Sequence, residues 1–217
     1  MVCPRSIDPA MKRTLFSAAV FAAMMSASEA AMVITEWLYS GNDGEFIEFT
    51  NTGAEPVNLA GWSYDDSGRT PGLFDLSPLG VVLPGQSVII TEAAVDDFRA
   101  AWGLDASVAV LSGYTRNLGR NDEINLYNGT DLVDRLTFGD QDFSGSIRTQ
   151  NVSGVTGPEN YGLNDVSLWT LSATGDGFSV TSAGGDVGSP GIAAIPEPSA
   201  SLLAGVALAS ALVRRRR

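Results

Sequence analysis

From Met32 onward, short apolar runs alternate with clusters of glycine, asparagine, aspartate and proline, the pattern of strands and turns rather than of helices. Val33 to Tyr39 and Glu45 to Thr50 flank Ser40-Gly41-Asn42-Asp43-Gly44, a turn-forming cluster, and predict a hairpin. In its second strand Ile47 and Phe49 point to one side and Phe46, Glu48 and Thr50 to the other, so one face is expected to be buried and the other mixed. Further strands are predicted over 57–59, 62–64, 81–83, 87–91, 108–111, 123–127 and 132–138, with Pro84-Gly85 and Asn128-Gly129-Thr130-Asp131 as turns. Ala93 to Trp102 breaks the pattern: Val95, Phe98 and Trp102 recur at helical spacing before Gly103, which predicts one helix.

Beyond Phe138 the composition shifts. Ten glycines fall between Gln141 and Gly191, and the two convincing apolar stretches, 166–171 and 178–181, are expected to pair across Ala173-Thr174-Gly175-Asp176-Gly177. Alone they would bury too little, so they are expected to join the preceding sheets instead of forming a second domain. Ser189 to Ser199, with three prolines, reads as a linker.

Both ends of the chain look like addresses. Lys12 and Arg13 precede an apolar stretch from Leu15 to Met25 and then small residues up to Ala30, which predicts a secretory signal over 1–30, cut between Ala30 and Ala31, with Met11 as the expected start. At the other end Pro196-Glu197-Pro198 precedes an uncharged run from Ser199 to Val213 and then Arg214, Arg215, Arg216 and Arg217. As a helix, those 15 residues cover about 22 Å against a hydrocarbon core of about 30 Å, a tight fit for a permanent span. The arginines would stay in the cytoplasmic headgroup layer, leaving everything before the run outside. This tail resembles the PEP-CTERM sorting signal of Gram-negative bacteria. The resemblance implies recognition by a membrane exosortase, removal of a temporary anchor at 199–217 and delivery to the cell surface or extracellular matrix.

A second resemblance lies in the middle. Ile34-Thr35-Glu36, Gly44-Glu45-Phe46-Ile47-Glu48-Phe49-Thr50-Asn51, Leu59-Ala60-Gly61-Trp62, Leu83-Pro84-Gly85 and Leu118-Gly119-Arg120-Asn121-Asp122-Glu123-Ile124-Asn125-Leu126 follow one another in an order similar to that of lamin-tail domains. Gly188-Ser189-Pro190-Gly191 resembles the closing segment that often follows such a domain. The resemblance implies an all-β, immunoglobulin-like β-sandwich with one short helix over 31–191, with a glycine-rich extension from about 141. The linker and sorting motif occupy 192–198, and the signal and tail add a helix at each end. A fold of this kind implies no particular activity.

Charge and chemistry narrow the function classes. Residues 31–195 hold 22 acidic residues and six arginines and no lysine, a formal charge of −16 that disfavours DNA, RNA and anionic surfaces, so the chromatin contacts of nuclear lamin tails do not transfer. The one cysteine, Cys3, lies before the expected start, so the core is not held by a disulfide framework. The chain has no histidine, which removes Ser-His-Asp triads, Cys-His pairs and histidine-based zinc sites, and its one lysine, Lys12, lies in the signal. Carboxylates remain. Glu36 and Glu48 on adjacent strands form a conceivable pair, although strand carboxylates satisfied by nearby donors are the ordinary outcome. Asn42-Asp43-Gly44-Glu45, Asp65-Asp66 and Asp140-Gln141-Asp142 offer oxygens for calcium without the spacing of an EF-hand, and turn formation is the default for such residues. Trp37, Trp62, Trp102 and Trp169 would bind polysaccharide only if exposed, and core packing is expected for each. Asn128-Gly129-Thr130 and Asn151-Val152-Ser153 match the glycosylation pattern, which carries little weight in a bacterial chain. The expectation is therefore an exported, non-enzymatic structural or adhesive protein without a cofactor. Signal peptidase and exosortase would be its processing partners, and a polysaccharide- or calcium-binding module is the alternative.

Overall fold

The structure, a computed structural model, describes residues 32–114 and 117–195. The expected signal with its Ala30/Ala31 junction, and the tail from Pro196 through Arg217, lie outside the described residues. In chain order the strands are β1 (Met32–Leu38), β2 (Phe46–Asn51), β3 (Val57–Asn58), β4 (Trp62–Asp65), β5 (Phe74–Asp75), β6 (Val81–Val82) and β7 (Ser87–Thr91). The helix α1 (Val95–Trp102) follows, then β8 (Ala109–Ser112), β9 (Asn121–Asn128), β10 (Asp131–Gly139), β11 (Gly154–Val155), β12 (Thr170–Leu171), β13 (Val180–Thr181) and β14 (Val187–Gly188).

Two sheets make the sandwich, one ordered β12-β11-β1-β2-β7-β8 and the other β10-β9-β4-β5. Between them lies the main core, in which Ile34, Trp37, Ile47, Phe49, Val88 and Ile90 meet Tyr64, Ile124, Leu126, Leu136 and Phe138. Trp37 stands at its centre, 5.2 Å from the Phe138 ring and 4.9 Å from Trp169 in an edge-on contact. The described part is thus a β-sandwich with a single α-helix among the described residues, in line with the fold expected for 31–191.

The alternation in β2 holds, with a different consequence from the one expected. Ile47 and Phe49 enter the main core, but Phe46, Glu48 and Thr50 on the opposite face are also fully buried. Part of that outer face is covered by α1, whose Phe98 and Trp102 pack on Leu38, Phe46 and Ile89 as a second, smaller core. The helix joins β7 to β8, the one parallel pair of named strands among the described residues, because parallel neighbours need a crossover. Asp96 and Asp97 in its first turn complement its dipole, and Gly103, left-handed at φ 64°, ends it by donating to the Arg99 carbonyl.

The glycine-rich region departs most from the sequence reading. Residues 166–168 form a 3₁₀ turn, β12 pairs with β11, and β13 pairs with β14, so the two apolar stretches do not pair with each other. β12 does join the large sheet, as expected, but β13 does not, since it pairs only with β14 in a separate two-stranded sheet. Backbone pairing there is sparse, and side chains supply the missing partners. Asp186 is fully buried and accepts from Asp43 N–H (2.9 Å) and Asn151 Nδ2 (2.8 Å), tying three segments together. Asp186→Ala strands those donors and is expected to lower unfolding free energy by about 1–3 kcal/mol, read from urea melts followed by tryptophan fluorescence.

Candidate functional site

The carboxylates singled out by the sequence are drawn together by an irregularity in β1. Pairing with β2 slips between Ile34 and Glu36, so Thr35 is an extra residue and both Thr35 and Glu36 turn to the outer face, while Ile34 and Trp37 stay in the core. Glu36 then stands directly opposite Glu48, and both are buried, at 1% and 0% exposure. The Ile34 N–H donates across the sandwich to Asp134 Oδ2 at 2.8 Å, and burial pushes the Asp134 carboxyl up to about 6.

Every partner of the pair comes from the protein itself. Glu48 accepts from the Thr35 hydroxyl at 2.7 Å and from Gly191 N–H at 2.5 Å. Glu36 accepts from the Ser153 hydroxyl, from Ser189 N–H at 2.7 Å and from the Ser189 hydroxyl at 3.0 Å. Thus Gly188-Ser189-Pro190-Gly191 crosses the outer face of the sheet and is fastened there by the two carboxylates. Ser189 and Pro190 are buried and so belong to the folded body, not to a linker. Closeness is built in at Gly188, where a Cβ would lie 2.9 Å from Glu36 Oε1 and 3.2 Å from the Trp102 ring.

Among the described residues no arginine pairs with either carboxylate. Burial, followed by the facing Glu48 charge, raises the Glu36 carboxyl, and burial raises Glu48. Two unpaired carboxylates in a dry interior hold at least one proton near neutrality. As an acid and nucleophile the pair lacks an approach for substrate, since neither faces a cleft. Its geometry serves to pin the closing segment.

The calcium candidates are likewise engaged. Asp43 Oδ2 accepts from Gly184 N–H at 2.6 Å, and Asn42 Nδ2 donates to the Gly184 carbonyl at 2.9 Å. Glu45 Oε1 accepts from Tyr114 Oη at 2.8 Å and Leu118 N–H at 2.7 Å. Asp65 accepts from Thr70 N–H, and Asp66 from Gly68 N–H. Asp140 takes both arms of Arg120 at 2.6 Å, while Asp142 accepts from Asn121 Nδ2. Among the described residues no three acidic, histidine or cysteine side chains converge as a metal site. An open depression of about 390 Å³, lined by Asn42, Asp43, Glu92 and Asp97, is acidic and shallow.

All four tryptophans are buried, Trp62 being the most exposed at 8%. The 118–123 stretch that looked like a motif is a knot of side-chain bonds: Gly119 N–H donates to Asp122, Arg120 reaches Asp140, and Glu123 binds Arg69 through two bonds of 2.6–2.7 Å. Sequence reasoning missed Ser153, Asp134 and Asp186. The Gly-Ser-Pro-Gly quartet was the one cue to a closing segment, and nothing in its spacing pointed to Glu36 and Glu48 as its receptors.

Comparison with known proteins agrees with this geometry. The family model described as Lamin Tail Domain matches residues 25–140, more than half of the chain, and the model described as PEP-CTERM protein-sorting motif matches 194–217. No curated protein and no solved structure matches the chain. The matched region holds both main sheets apart from β11 and β12, and the motif begins where the fastened closing segment gives way to the tail, so the chain belongs to the lamin-tail-domain family and carries a PEP-CTERM sorting motif.

Proposed function

We propose that this protein is an exported, exosortase-processed component of the cell surface or extracellular matrix, with a structural or adhesive role. The observation that carries this reading is the sorting motif at 194–217 directly behind a sandwich whose notable side chains are spent on holding it together. The expected signal at 1–30 would take the chain across the inner membrane. The run 199–213 would then hold it there until the exosortase acts near Pro196-Glu197-Pro198. The acidic, lysine-free domain would remain soluble among surface polymers.

The polysaccharide-binding alternative asks for an exposed indole beside a groove, and the burial of Trp37, Trp62, Trp102 and Trp169 weighs against it. The calcium alternative is weakened because each candidate loop already satisfies protein donors. A hydrolytic role would need carboxylates that substrate can reach, and Glu36 and Glu48 are covered.

Fractionation of cells expressing the intact chain and a form lacking Arg214 to Arg217, with mass spectrometry of the mature ends, tests the reading. Where an exosortase is active, the intact chain is expected to leave the membrane with a new C-terminus near Pro196-Glu197-Pro198, and the arginine-deleted form is expected to be mis-sorted. Persistence of the full tail in the membrane of such cells would sink the proposal.

A further inference from the structure

Both ends of the described domain leave it at the same pole. Met32 opens β1 opposite Asn51, and the Asn51 carbonyl accepts from Gly85 N–H at 2.8 Å. The closing segment arrives there from the other side: after Ser189 and Gly191 are held by Glu36 and Glu48, the Ala194 carbonyl accepts from Tyr161 Oη at 2.9 Å. Ile195 then lies against Gly85 in the β6–β7 turn. The chain is therefore fastened to within one residue of Pro196-Glu197-Pro198.

Apolar side chains surround this exit. Leu83, Leu163 and Ile192 are about half exposed, at 48%, 50% and 50%, and Ile195 is 39% exposed. Leu83 and Ile195 flank the Gly85 turn, and Leu163 follows Tyr161 by two residues. At the opposite pole, where β1 ends and β2 begins, the strand ends and loops present Asp43, Glu92, Asp66, Asp122, Asp140 and Asp142. The exit pole also carries Glu55, whose carbonyl accepts from Asn51 Nδ2, and Asp131 at the β9–β10 turn, fewer acidic side chains than the opposite pole presents.

We propose that the apolar pole is a membrane-facing surface, covered by the lipid headgroup layer that holds the run 199–213 in the anchored precursor. The inference rests on the reading of the tail given above. Four Cα–Cα steps separate Ile195 from Ser199, which fully extended reach at most about 14 Å. With no slack upstream of Ile195, the exit pole cannot stand farther from the start of the apolar run. Leucine and isoleucine side chains suit the interface between headgroups and acyl chains, and the more acidic opposite pole is the one that anionic lipid repels more strongly. The lipid-facing pole would hold the sorting motif at headgroup depth, where a membrane-embedded processing enzyme works, and leave the acidic pole pointing outward.

The test uses the full chain in C3S background, reconstituted into phosphatidylethanolamine and phosphatidylglycerol vesicles. Single variants L83C, L163C and F143C are labelled with a bimane dye, Phe143 lying in the 140–148 loop at the acidic pole. Dyes at 83 and 163, on the exit pole, are expected to be quenched at least twofold more by headgroup nitroxide lipids than the dye at 143. Equal quenching at the three positions in vesicle-bound protein overturns the membrane-facing pole and leaves the tail reading intact. Failure of the chain to float with vesicles overturns both. Shielding at 83 and 163 that follows protein concentration and ignores the nitroxide assigns the face to a second copy and overturns the proposal. Circular dichroism of each labelled variant, matching that of the unlabelled chain, establishes that the fold is retained.

Discussion

Trp37→Ala is expected to cost about 3–5 kcal/mol of unfolding free energy, the largest effect of any single truncation in this domain. The indole is fully buried, packs on Phe138 and Trp169, and lies where the two sheets approach. It also explains a residue on the neighbouring strand. Gly154 pairs with Trp37 across β1 and β11, and a Cβ built there would fall 2.7 Å from Cη2 of the indole, inside van der Waals contact. Gly154→Ala should therefore destabilise by about 1–3 kcal/mol in the natural chain through overpacking. In a Trp37→Leu background the clash disappears, and the same change should cost much less. A double-mutant cycle by urea denaturation reads this coupling, and additive costs would show that the strand pairing between β1 and β11 is not as described.

The second large effect is a fall in stability as pH rises from mildly acidic to mildly alkaline. Burial pushes the Glu45 carboxyl from 4.5 up to about 8, against the opposing hydrogen bonds from Leu118 N–H and Tyr114, and burial raises Glu36 and Glu48 in the same direction. Below pH 4.5 folded and unfolded chains both hold these protons, and no dependence arises. Between 4.5 and about 8 the unfolded chain loses them while the folded one keeps them, so each such group lowers stability with a slope of at most about 1.4 kcal/mol per pH unit. Glu123 acts oppositely: its bonds with Arg69 hold it at about 2, a contribution present above 4.5 and lost as pH falls toward 2. The melting temperature is therefore expected to peak near pH 4.5–5 and to decline up to about pH 8. Glu45→Gln and Glu36→Gln preserve the shape of each site without the titration, and each should flatten that decline. A wild-type melting temperature that stays level or rises from pH 5 to 8 would count decisively against buried protonated carboxylates.

Local signals were legible where the chain makes its own neighbours. The 40–44 turn set the β1–β2 hairpin, the 87–91 strand is found over exactly those residues, and Val95, Phe98 and Trp102 marked a helix that forms over 95–102. What could not be read was the second layer. Glu48 and Thr50 looked half-solvated because alternation reports polarity, not cover, and Glu48 is capped by Gly191, 143 positions later, while the Thr50 hydroxyl bonds Ser87 on the neighbouring strand. Likewise the bulge at Thr35 shifts Glu36 to the outer face, and no propensity of Ile34-Thr35-Glu36 announces it. The strands β11 to β14 have two residues each, too short for a periodic signal, and are fixed by Asp186, Ser153 and Trp37, all distant in sequence.

The fastening of Ser189 by Glu36 joins positions 153 residues apart, and it sets an order of events. In a chain that crosses a membrane with its N-terminus leading, β1 emerges among the first folded residues and Ser189 among the last. Until residues 189–191 arrive, Glu36 and Glu48 lack the backbone donors that complete their burial, and long-range closures of this kind are slow steps in β proteins. On the proposed export route, the sandwich would finish only when the apolar run behind it is already reaching the bilayer. Completion of the fold and arrest of the chain would then fall into the same interval, so a processing enzyme acting after arrest would meet a domain that is closed, or just closing, rather than an unfolded thread.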